Sequence, residues 1–422
     1  MFLAGMAAAN RALAEQADRK SEYLADLNEQ LQKEKTQTEE TTEREGVPSP
    51  AERNETPEAE TDSAEPVIRV LLMDSGYHSY FHPEVVLVAE EKETVYTPET
   101  VKAEGGSVTV PECRNGIRIC SIERQNGNPV YEGKIHITAR EEGLVVVNEL
   151  PLESYLKAVV PSEMPAGYEK EALKAQAVCA RTYAWIHIQE QGLEEYGADV
   201  DDSVNYQVYQ NIPPQESTTE AVMETRGQIL CQNGEPVETY YFSTSAGVTS
   251  TDEIWGADSA APYLKSVSCS FDSDEPWSRW QVEIPWRNLE DRAGEALGES
   301  GGLTGISITK KQESGAVTGL SAVTEAGVLD LGDEYAVREF LSPSGCVITE
   351  NDGTETEGGA LLPSSYFTME ADPGVSVVIT GGGYGHGVGM SQNGANEMAK
   401  QGYDSEEILD YFFKDVEIDE IS

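Results

Sequence analysis

A carboxylate in a proline frame is the first candidate for chemistry in this sequence. In Pro161-Ser162-Glu163-Met164-Pro165, the two prolines fix φ and disfavour helix just before them, so we expect a rigid turn ahead of a long helix. A carboxyl held there could act as a general acid or base if its apolar neighbours favour the protonated form. From these residues alone the alternative stays open that Ser162 or Glu163 caps the helix.

The helix that follows carries polar residues on one side. The segment 169–191 is rich in Ala, Glu, Lys and Gln with helical spacing, and its polar side includes Gln176 and Arg181. Arg181 stands in an Ala-rich stretch that we expect to be buried, where an unpaired guanidinium is costly. We therefore expect a carboxylate partner for Arg181, or a cleft that it faces.

Two loops offer further polar groups. Tyr241-Phe242-Ser243-Thr244-Ser245-Ala246-Gly247 follows a strand, and its hydroxyls suit hydrogen bonding to a polyhydroxyl ligand. Glycines crowd the segment 381–389 around His386, which implies positive φ or a backbone packed tightly against a neighbour. His386 has two interpretations, a residue that orients a cleft or a core histidine with satisfied hydrogen bonds.

Several kinds of site find no support in the sequence. The glycine spacing at 381–389 matches neither a dinucleotide-binding nor a phosphate-binding loop. His-Glu-x-x-His is absent, and Cys113 with Cys120 offers two metal ligands without a third nearby. The 6 cysteines include no Cys-x-x-Cys pair, and we expect most of them to be buried. The sequence thus predicts no metal and no cofactor.

Charge narrows the range of partners. The 422 residues include 76 acidic and 29 basic side chains, for a formal net charge of −47, and this excludes nucleic acid as the expected partner. Three stretches differ from the rest: 153–192, 240–256 and 376–402 carry −1, −2 and 0. No run of 18 apolar residues is present to span a membrane.

The pattern of elements predicts an α+β fold, a mixed β-rich core with one long helix beside a cleft. Short β-type segments begin near Val67, helices are expected at 391–401 and 405–414, and 283–350 is expected to be a smaller inserted β-rich subdomain of alternating strand and loop. Ahead of this body we predict a polar helix within 1–35 and a disordered Glu/Thr/Pro-rich linker over 36–66.

Together, and in this order, the motifs resemble the stage II sporulation protein D and LytB family. The matching blocks are LPLESYLKAVVPSEMPAGYEKEALKAQAVCARTYAW at 150–185, YYFSTSAGVTSTDEIWG at 240–256, APYLKSV at 261–267 and GGGYGHGVGMSQNGANEMAKQGYDSEEILDYFF at 381–413. The resemblance implies one catalytic domain over 67–420. It also implies a cleft that binds the glycan strand.

The resemblance implies a peptidoglycan lytic transglycosylase that cuts glycan strands lacking stem peptides, acting in the engulfment step of sporulation. It places the catalytic acid at Glu163, and 8 further residues in the cleft: Ser162, Gln176, Arg181, Tyr241, Ser243, Ser245, His386 and Gln392. Two alternatives stay open, a non-catalytic enhancer that recruits a cell-wall amidase and a scaffold among engulfment proteins. The implied location is outside the cytoplasm, facing the cell wall.

Two departures from the family pattern matter. Some sporulation members bind zinc through a histidine and cysteines after the long helix, whereas this chain has Asp201 and Tyr206 where cysteines are expected, and His187 does not replace them. The family's N-terminal membrane anchor is also missing. The apolar start of the chain resembles the tail of such a segment, so we expect an anchor encoded upstream of Met1.

Overall fold

The computed structural model describes residues 65–298 and 302–421, and their contacts divide the chain into two units. Within the described residues, the first unit comprises 65–168, 187–226 and 420–421, and the second comprises 169–186, 227–298 and 302–419. The helix predicted within 1–35 and the linker predicted over 36–66 lie outside the described residues, except for Glu65 and Pro66.

The first unit is built on two sheets. Their strands run in the orders β4-β7-β8-β1-β9 and β3-β2-β5-β6. The bounds are β1 (Val67–Leu71), β2 (Val85–Ala89), β3 (Lys92–Tyr96), β4 (Ser107–Val110), β5 (Ile117–Ile119), β6 (Val130–Tyr131), β7 (Lys134–Ala139), β8 (Leu144–Pro151) and β9 (Val200–Asp201). Strand β8 lies between β7 and β1, so both of its edges are paired, and its first five residues are all buried, so both of its faces are covered there.

Helices follow three of these strands, β3, β8 and β9. Helix α1 (Pro98–Ala103) begins at a capping box on Thr97, and α2 (Leu152–Glu163) continues directly from the end of β8. Helix α3 (Lys170–Glu190) is the long helix predicted over 169–191, which is confirmed to within one residue at each end. The alanines on its predicted apolar side, Ala177, Ala180 and Ala184, are buried. Helix α4 (Glu216–Glu224) returns to the first unit.

The second unit contains four sheets, in the orders β11-β10-β22, β12-β21, β18-β17-β13-β20-β19 and β14-β15-β16. The strands are β10 (Gln228–Gln232), β11 (Glu235–Pro236), β12 (Tyr241–Phe242), β13 (Trp280–Pro285), β14 (Leu303–Lys311), β15 (Val317–Thr324), β16 (Val328–Leu331), β17 (Val347–Glu350), β18 (Glu355–Glu357), β19 (Phe367–Asp372), β20 (Ser376–Gly381), β21 (Met390–Ser391) and β22 (Glu417–Glu420). Mixed helices and separate sheets confirm the predicted α+β class.

Besides most of α3, four α-helices accompany these strands in the described residues. Helices α7 (Gln392–Lys400) and α8 (Ser405–Phe412) confirm the two predicted near the C-terminal end. Helices α5 (Trp286–Leu297) and α6 (Glu334–Phe340) correct the expectation that 283–350 contains only strand and loop. The physical reason is visible in α5, where Trp286, Leu289 and Ala293 recur at helical spacing and are the buried residues of the helix.

The cysteines are all in the described part of the chain. Each is a free thiol, with Cys113 and Cys120 half-buried and the other four buried. This confirms the prediction that most cysteines are buried. Across residues 65–298 and 302–421, no helix is both long and apolar enough to cross a membrane.

Candidate functional site

The predicted catalytic residue lies at the end of a helix. Glu163 is the last residue of α2 and only 3% exposed, and the helix includes Pro161. The expectation of a rigid non-helical turn at 161–163 was therefore wrong. Packing explains it, since Val159, Val160 and Pro161 are all buried in α2 and tertiary contacts outweigh the helix-breaking tendency of proline. Helix α3 begins at Lys170, seven residues after Glu163.

The carboxyl of Glu163 is held from the backbone of a distant loop. The Val208 N–H donates to its Oε1 at 2.7 Å. The adjacent hydroxyl of Ser162 accepts from the Ile212 N–H at 3.1 Å and donates to the Ala158 carbonyl at 2.7 Å. Two consecutive side chains of α2 thus hold the segment 207–212, which we call the anchor loop, at two backbone amides. This contact fixes the position of the carboxyl.

The anchor loop is itself fixed from several sides. Tyr77 donates from its hydroxyl to Asn211 at 2.8 Å, and Tyr209 donates to Asn148 at 2.8 Å. Asn148 lies at the centre of β8, and its amide also donates to the Glu132 carbonyl at 2.8 Å. Because the side chains of Tyr77, Asn148 and Tyr209 are buried, the loop that holds Glu163 is rigidly connected to the sheet.

Asp201 and Tyr206, which stand where the resemblance implied cysteines, take part in other interactions. Tyr80 donates from its hydroxyl to Asp201 at 2.8 Å, and burial raises the pKa of Asp201. The rings of His187 and Tyr206 meet edge to face with centroids 5.1 Å apart. No group of three or more His, Cys, Asp or Glu side chains in the described ranges could hold a metal ion. Hydrogen bonds and ring packing join these segments.

In the second unit, two predicted binding residues meet. Gln392, at the start of α7, donates from Nε2 to Oε1 of Gln176 at 3.2 Å, and both side chains are buried. Arg181 is fully buried, and its Nη1 donates to the carbonyls of Gln228 at 3.2 Å and Ala177 at 3.5 Å. The guanidinium therefore connects α3 to the first residue of β10.

The glycine-rich stretch 381–389, which we call the glycine segment, packs against the loop 241–247, which we call the hydroxyl loop. Strand β12 pairs in parallel with β21, and Thr244 pairs with Tyr384. Gly383, Gly385, Gly387 and Gly389 all have positive φ. A Cβ at Gly389 would lie 2.1 Å from the carbonyl oxygen of Tyr240, so only glycine fits there. Both expectations for this segment, positive φ and tight backbone packing, are confirmed.

His386 is held by backbone on both sides of its ring. The Val388 N–H donates to Nδ1 at 3.1 Å, which leaves the proton on Nε2, and Nε2 donates to the Tyr241 carbonyl at 3.0 Å. The ring packs among aromatic residues, with its centroid 5.2 Å from that of Trp255 and 5.8 Å from that of Phe242. Its contacts fix the strand that carries Tyr241.

The two serines of the hydroxyl loop differ. Ser245 is buried and donates from its hydroxyl to Asp272 at 2.6 Å, while its backbone N–H donates to the same carboxyl at 2.7 Å. Ser243 is half-buried, its hydroxyl is within 3.1 Å of the Thr244 hydroxyl, and its carbonyl accepts from the Asn393 N–H at 2.9 Å. Ser245 therefore supports the loop, whereas Ser243 is open to solvent.

Two residues of the second unit escaped the sequence reasoning. Asp272 is one of 76 acidic residues, and its partners Ser245 and Ser391 lie 27 and 119 positions away. Trp255 is 40% exposed and packs edge to face on Tyr240 with centroids 4.9 Å apart. A signal was present in the sequence, since Trp255 stands eight residues after the loop 241–247. An exposed aromatic face beside hydroxyl groups suits contact with a ligand that is both apolar and polar.

The structure therefore places the predicted residues in two groups. Ser162 and Glu163 meet the anchor loop in the first unit. The second unit holds the other seven predicted residues: Gln176, Arg181, Tyr241, Ser243, Ser245, His386 and Gln392.

Comparison with known proteins gives a consistent result. Residues 140–231 match the model of the family described as SpoIID, stage II sporulation protein. The chain is 33% identical to stage II sporulation protein D of Bacillus subtilis over 65% of this chain and 76% of that protein. It is 32% identical to an uncharacterized protein of Brachyspira hyodysenteriae over 79% of this chain and 82% of that protein. It is 29% identical to the amidase enhancer of Bacillus subtilis, over 61% of this chain and 39% of that protein.

Proposed function

The chain belongs to the stage II sporulation protein D family, and from this premise we propose that it is a peptidoglycan lytic transglycosylase with Glu163 as its acid and base. One observation carries the assignment. Glu163 is a buried carboxyl whose Oε1 is fixed by the Val208 N–H at 2.7 Å. A general acid must be held in one orientation to reach the bond that breaks.

A single carboxyl suffices for this reaction. Protonated Glu163 gives its proton to the glycosidic oxygen as the bond from C1 of muramic acid to that oxygen breaks. The carboxylate then takes the proton of the muramic-acid 6-hydroxyl, whose oxygen bonds to C1 and closes a 1,6-anhydro ring. Glu163 ends protonated as it began. Because the nucleophile belongs to the substrate, the second carboxylate of an ordinary glycosidase is not required.

Within the proposal, the residues of the second unit divide by exposure. Tyr241 and Ser243 are half-buried and Trp255 is exposed, so these three are assigned to contact with the glycan. The others position them. Ser245 holds the loop to Asp272, His386 holds Tyr241, and the Gln176–Gln392 pair and Arg181 join α3 to its neighbours.

Charge supports an anionic glycan as substrate. Removal of the stem peptide exposes the lactyl carboxylate of muramic acid, which a strongly acidic surface repels. The stretches 153–192, 240–256 and 376–402 carry −3 between them, against −47 for the whole chain. The proposed partner is accordingly the denuded glycan strand, and the proposed location is outside the cytoplasm, at the cell wall.

The test compares Glu163→Gln with the wild type on sacculi that an amidase has stripped of stem peptides. We expect wild type to release anhydro-muramyl products and Glu163→Gln to lose at least about 100-fold in rate, because general acid–base catalysis is worth that much. Glu153→Gln, which neutralises another buried glutamate of α2, is the matched control and should remain active. Absence of anhydro products with the wild type, or full activity of Glu163→Gln, would overturn the proposal.

A second function has one observation in its favour. A relative at 29% identity is named amidase enhancer. If this chain acts in the same way, it stimulates a cell-wall amidase without cutting glycan. Equal stimulation of a purified amidase by the wild type and Glu163→Gln, with no anhydro product from either, would establish the enhancer function instead.

A further inference from the structure

The first unit contains a cavity that the proposed reaction does not use. Its volume is about 880 Å³, within the range of small-molecule sites. Four chain segments form its walls: the turn that precedes β5 with Arg118 of β5, the residues around β6, the junction of β8 and α2, and the middle of the anchor loop with the two prolines that follow the loop. Its polar and charged lining residues are Glu112, Arg114, Asn115, Arg118, Asn126, Asn128, Glu132, Ser154 and Gln210.

Two arginines in this lining have no partner. Arg114 and Arg118 are exposed, and neither guanidinium forms an ion pair or hydrogen bond with any residue in the described ranges. This is notable because residues 65–168 and 187–226 include 25 acidic and 10 basic side chains. Four other basic residues of the unit do pair with carboxylates: Arg69, Arg124, Lys134 and Arg226.

The frame that carries the arginines is rigid. Arg114 lies in a tight turn in which the Gly116 N–H donates to the Cys113 carbonyl at 2.9 Å. Gly116 has φ of +69°, and a Cβ there would lie 2.6 Å from Cγ1 of Val130. Arg118 stands in β5 and pairs with Val130 of β6. A rigid frame spares the ordering entropy that binding otherwise costs.

The opposite wall is tied to the catalytic carboxyl. Tyr209 and Gln210 line the cavity, and the residue before them, Val208, donates the hydrogen bond to Glu163. Asn126, also in the lining, donates from its amide to the Asn211 carbonyl at 2.9 Å. The anchor loop therefore lines the cavity with its middle residues, Tyr209 and Gln210, while Val208 beside them holds the carboxyl of Glu163.

We propose that this cavity is an additional carbohydrate subsite for an N-acetylated sugar acid, with its carboxylate on Arg114 and Arg118. Guanidinium groups match carboxylates in geometry and charge, and the lining amides suit hydroxyl and acetamido groups. With the proposed function as its basis, the occupant is a muramic acid of the same denuded strand, a few sugars away from the bond that is cut. Such a subsite would favour longer strands.

The test measures binding rather than turnover. The full chain carrying Glu163→Gln is titrated calorimetrically with a denuded tetrasaccharide of alternating GlcNAc and MurNAc, and then with the same tetrasaccharide after reduction of its carboxyl groups. We expect Arg114→Gln with Arg118→Gln to weaken binding of the acidic sugar at least about tenfold and to leave the reduced sugar unchanged. Arg140→Gln, at an exposed arginine outside the cavity lining, is the matched control and should alter neither affinity.

Equal affinity of the parent and the double variant for the acidic tetrasaccharide would overturn the subsite. So would equal losses for the acidic and reduced sugars, or tighter binding of a peptide-bearing muropeptide that depends on the two arginines. Failure of the transglycosylase itself would appear elsewhere, as absence of anhydro products from stripped sacculi. The two proposals can therefore fail separately.

Discussion

Each unit contains a buried aspartate that joins segments distant in sequence, and the two are satisfied in different ways. In the first unit Asp202 accepts from the Met73 N–H at 2.9 Å and pairs with the guanidinium of Arg124. In the second unit Asp272 accepts from Ser245 and Ser391 hydroxyls, each at 2.6 Å, and forms no ion pair within the described residues. One carboxylate is matched by a buried cation and the other by neutral donors alone.

The comparison shows how a strongly acidic chain keeps internal carboxylates. A buried ion pair involves two charges, so removal of either partner leaves the other without compensation. A carboxylate held by several neutral donors keeps its remaining hydrogen bonds when one donor is removed, and no buried cation is left without a partner. The four predictions below test this difference, from the largest expected effect to the smallest.

Of the four variants, Arg124→Met should lower the free energy of unfolding most. The variant leaves Asp202 buried and without its cation, which we expect to lower the free energy of unfolding by about 3–5 kcal/mol. Denaturant titration would measure it. Arg226→Ala is the matched control, because its pair with Glu65 is partly exposed, and it should cost about 0.5 kcal/mol or less. Equal losses in the two variants would show that burial of the pair is irrelevant.

Asp272→Asn should lower the free energy of unfolding by less, about 1–3 kcal/mol. Ser245 and Ser391 supply three hydrogen-bond donors to the two carboxyl oxygens of Asp272. An asparagine side chain has one acceptor oxygen, and its NH2 group would face a donor, so at least one of these hydrogen bonds is lost. Asp274→Asn, two residues away and exposed, controls for the charge change. A loss as large as that of Arg124→Met would refute the distinction between the two aspartates.

Acid should destabilise the first unit through His82. Burial lowers the pKa of His82. The hydrogen bond from Nε2 to the Leu72 carbonyl, at 2.9 Å, and the nearby carboxylate of Asp202 raise this pKa, and Arg124 lowers it, but burial is the largest effect. As pH falls below the ordinary histidine range, the unfolded chain binds a proton that the folded chain does not, so stability falls. His82→Gln should flatten this part of the stability profile. The exposed residue His78 supplies the control, since the slope in His78→Gln should match that of the wild type.

The smallest effect is expected at the surface. Lys265 and Asp415 pair at 3.2 Å with side chains 57% and 77% exposed. Lys265→Ala should change the free energy of unfolding by less than about 0.5 kcal/mol, and less still in high salt. A change above 1 kcal/mol in a denaturant titration would mean that exposed pairs matter in this chain as much as buried hydrogen bonds.

The sequence predicted the long helix better than the segment around Pro161. Ala, Lys, Glu and Gln recur over 169–191 without a proline, so local propensity and burial agreed, and the helix was found at Lys170–Glu190. At Pro161 they disagreed. Local preference predicted a turn, but burial of the whole segment kept α2 intact to Glu163.

The candidate site shows the same limit. The glycines at 383–389 were interpretable because few other residues adopt positive φ. The contact between Glu163 and Val208 could not be predicted, because Val208 donates from its backbone N–H and any residue type other than proline could do the same. Likewise the cavity of the first unit gathers residues from 112 to 214, and their common location depends on the topology of two sheets.

The pairing of β12 with β21 also bears on the order in which the second unit can fold during synthesis. Tyr241 and Phe242 pair with Met390 and Ser391, and the Ser243 carbonyl accepts from the Asn393 N–H. Contacts of such sequence separation form slowly, because the intervening chain must first be closed into a loop. A nascent chain that has passed residue 300 already has Glu163 and Ser243, yet the hydroxyl loop has no strand to pair with until the glycine segment emerges. The hydroxyl loop can therefore take its paired conformation only after residues 381–393 have been synthesised.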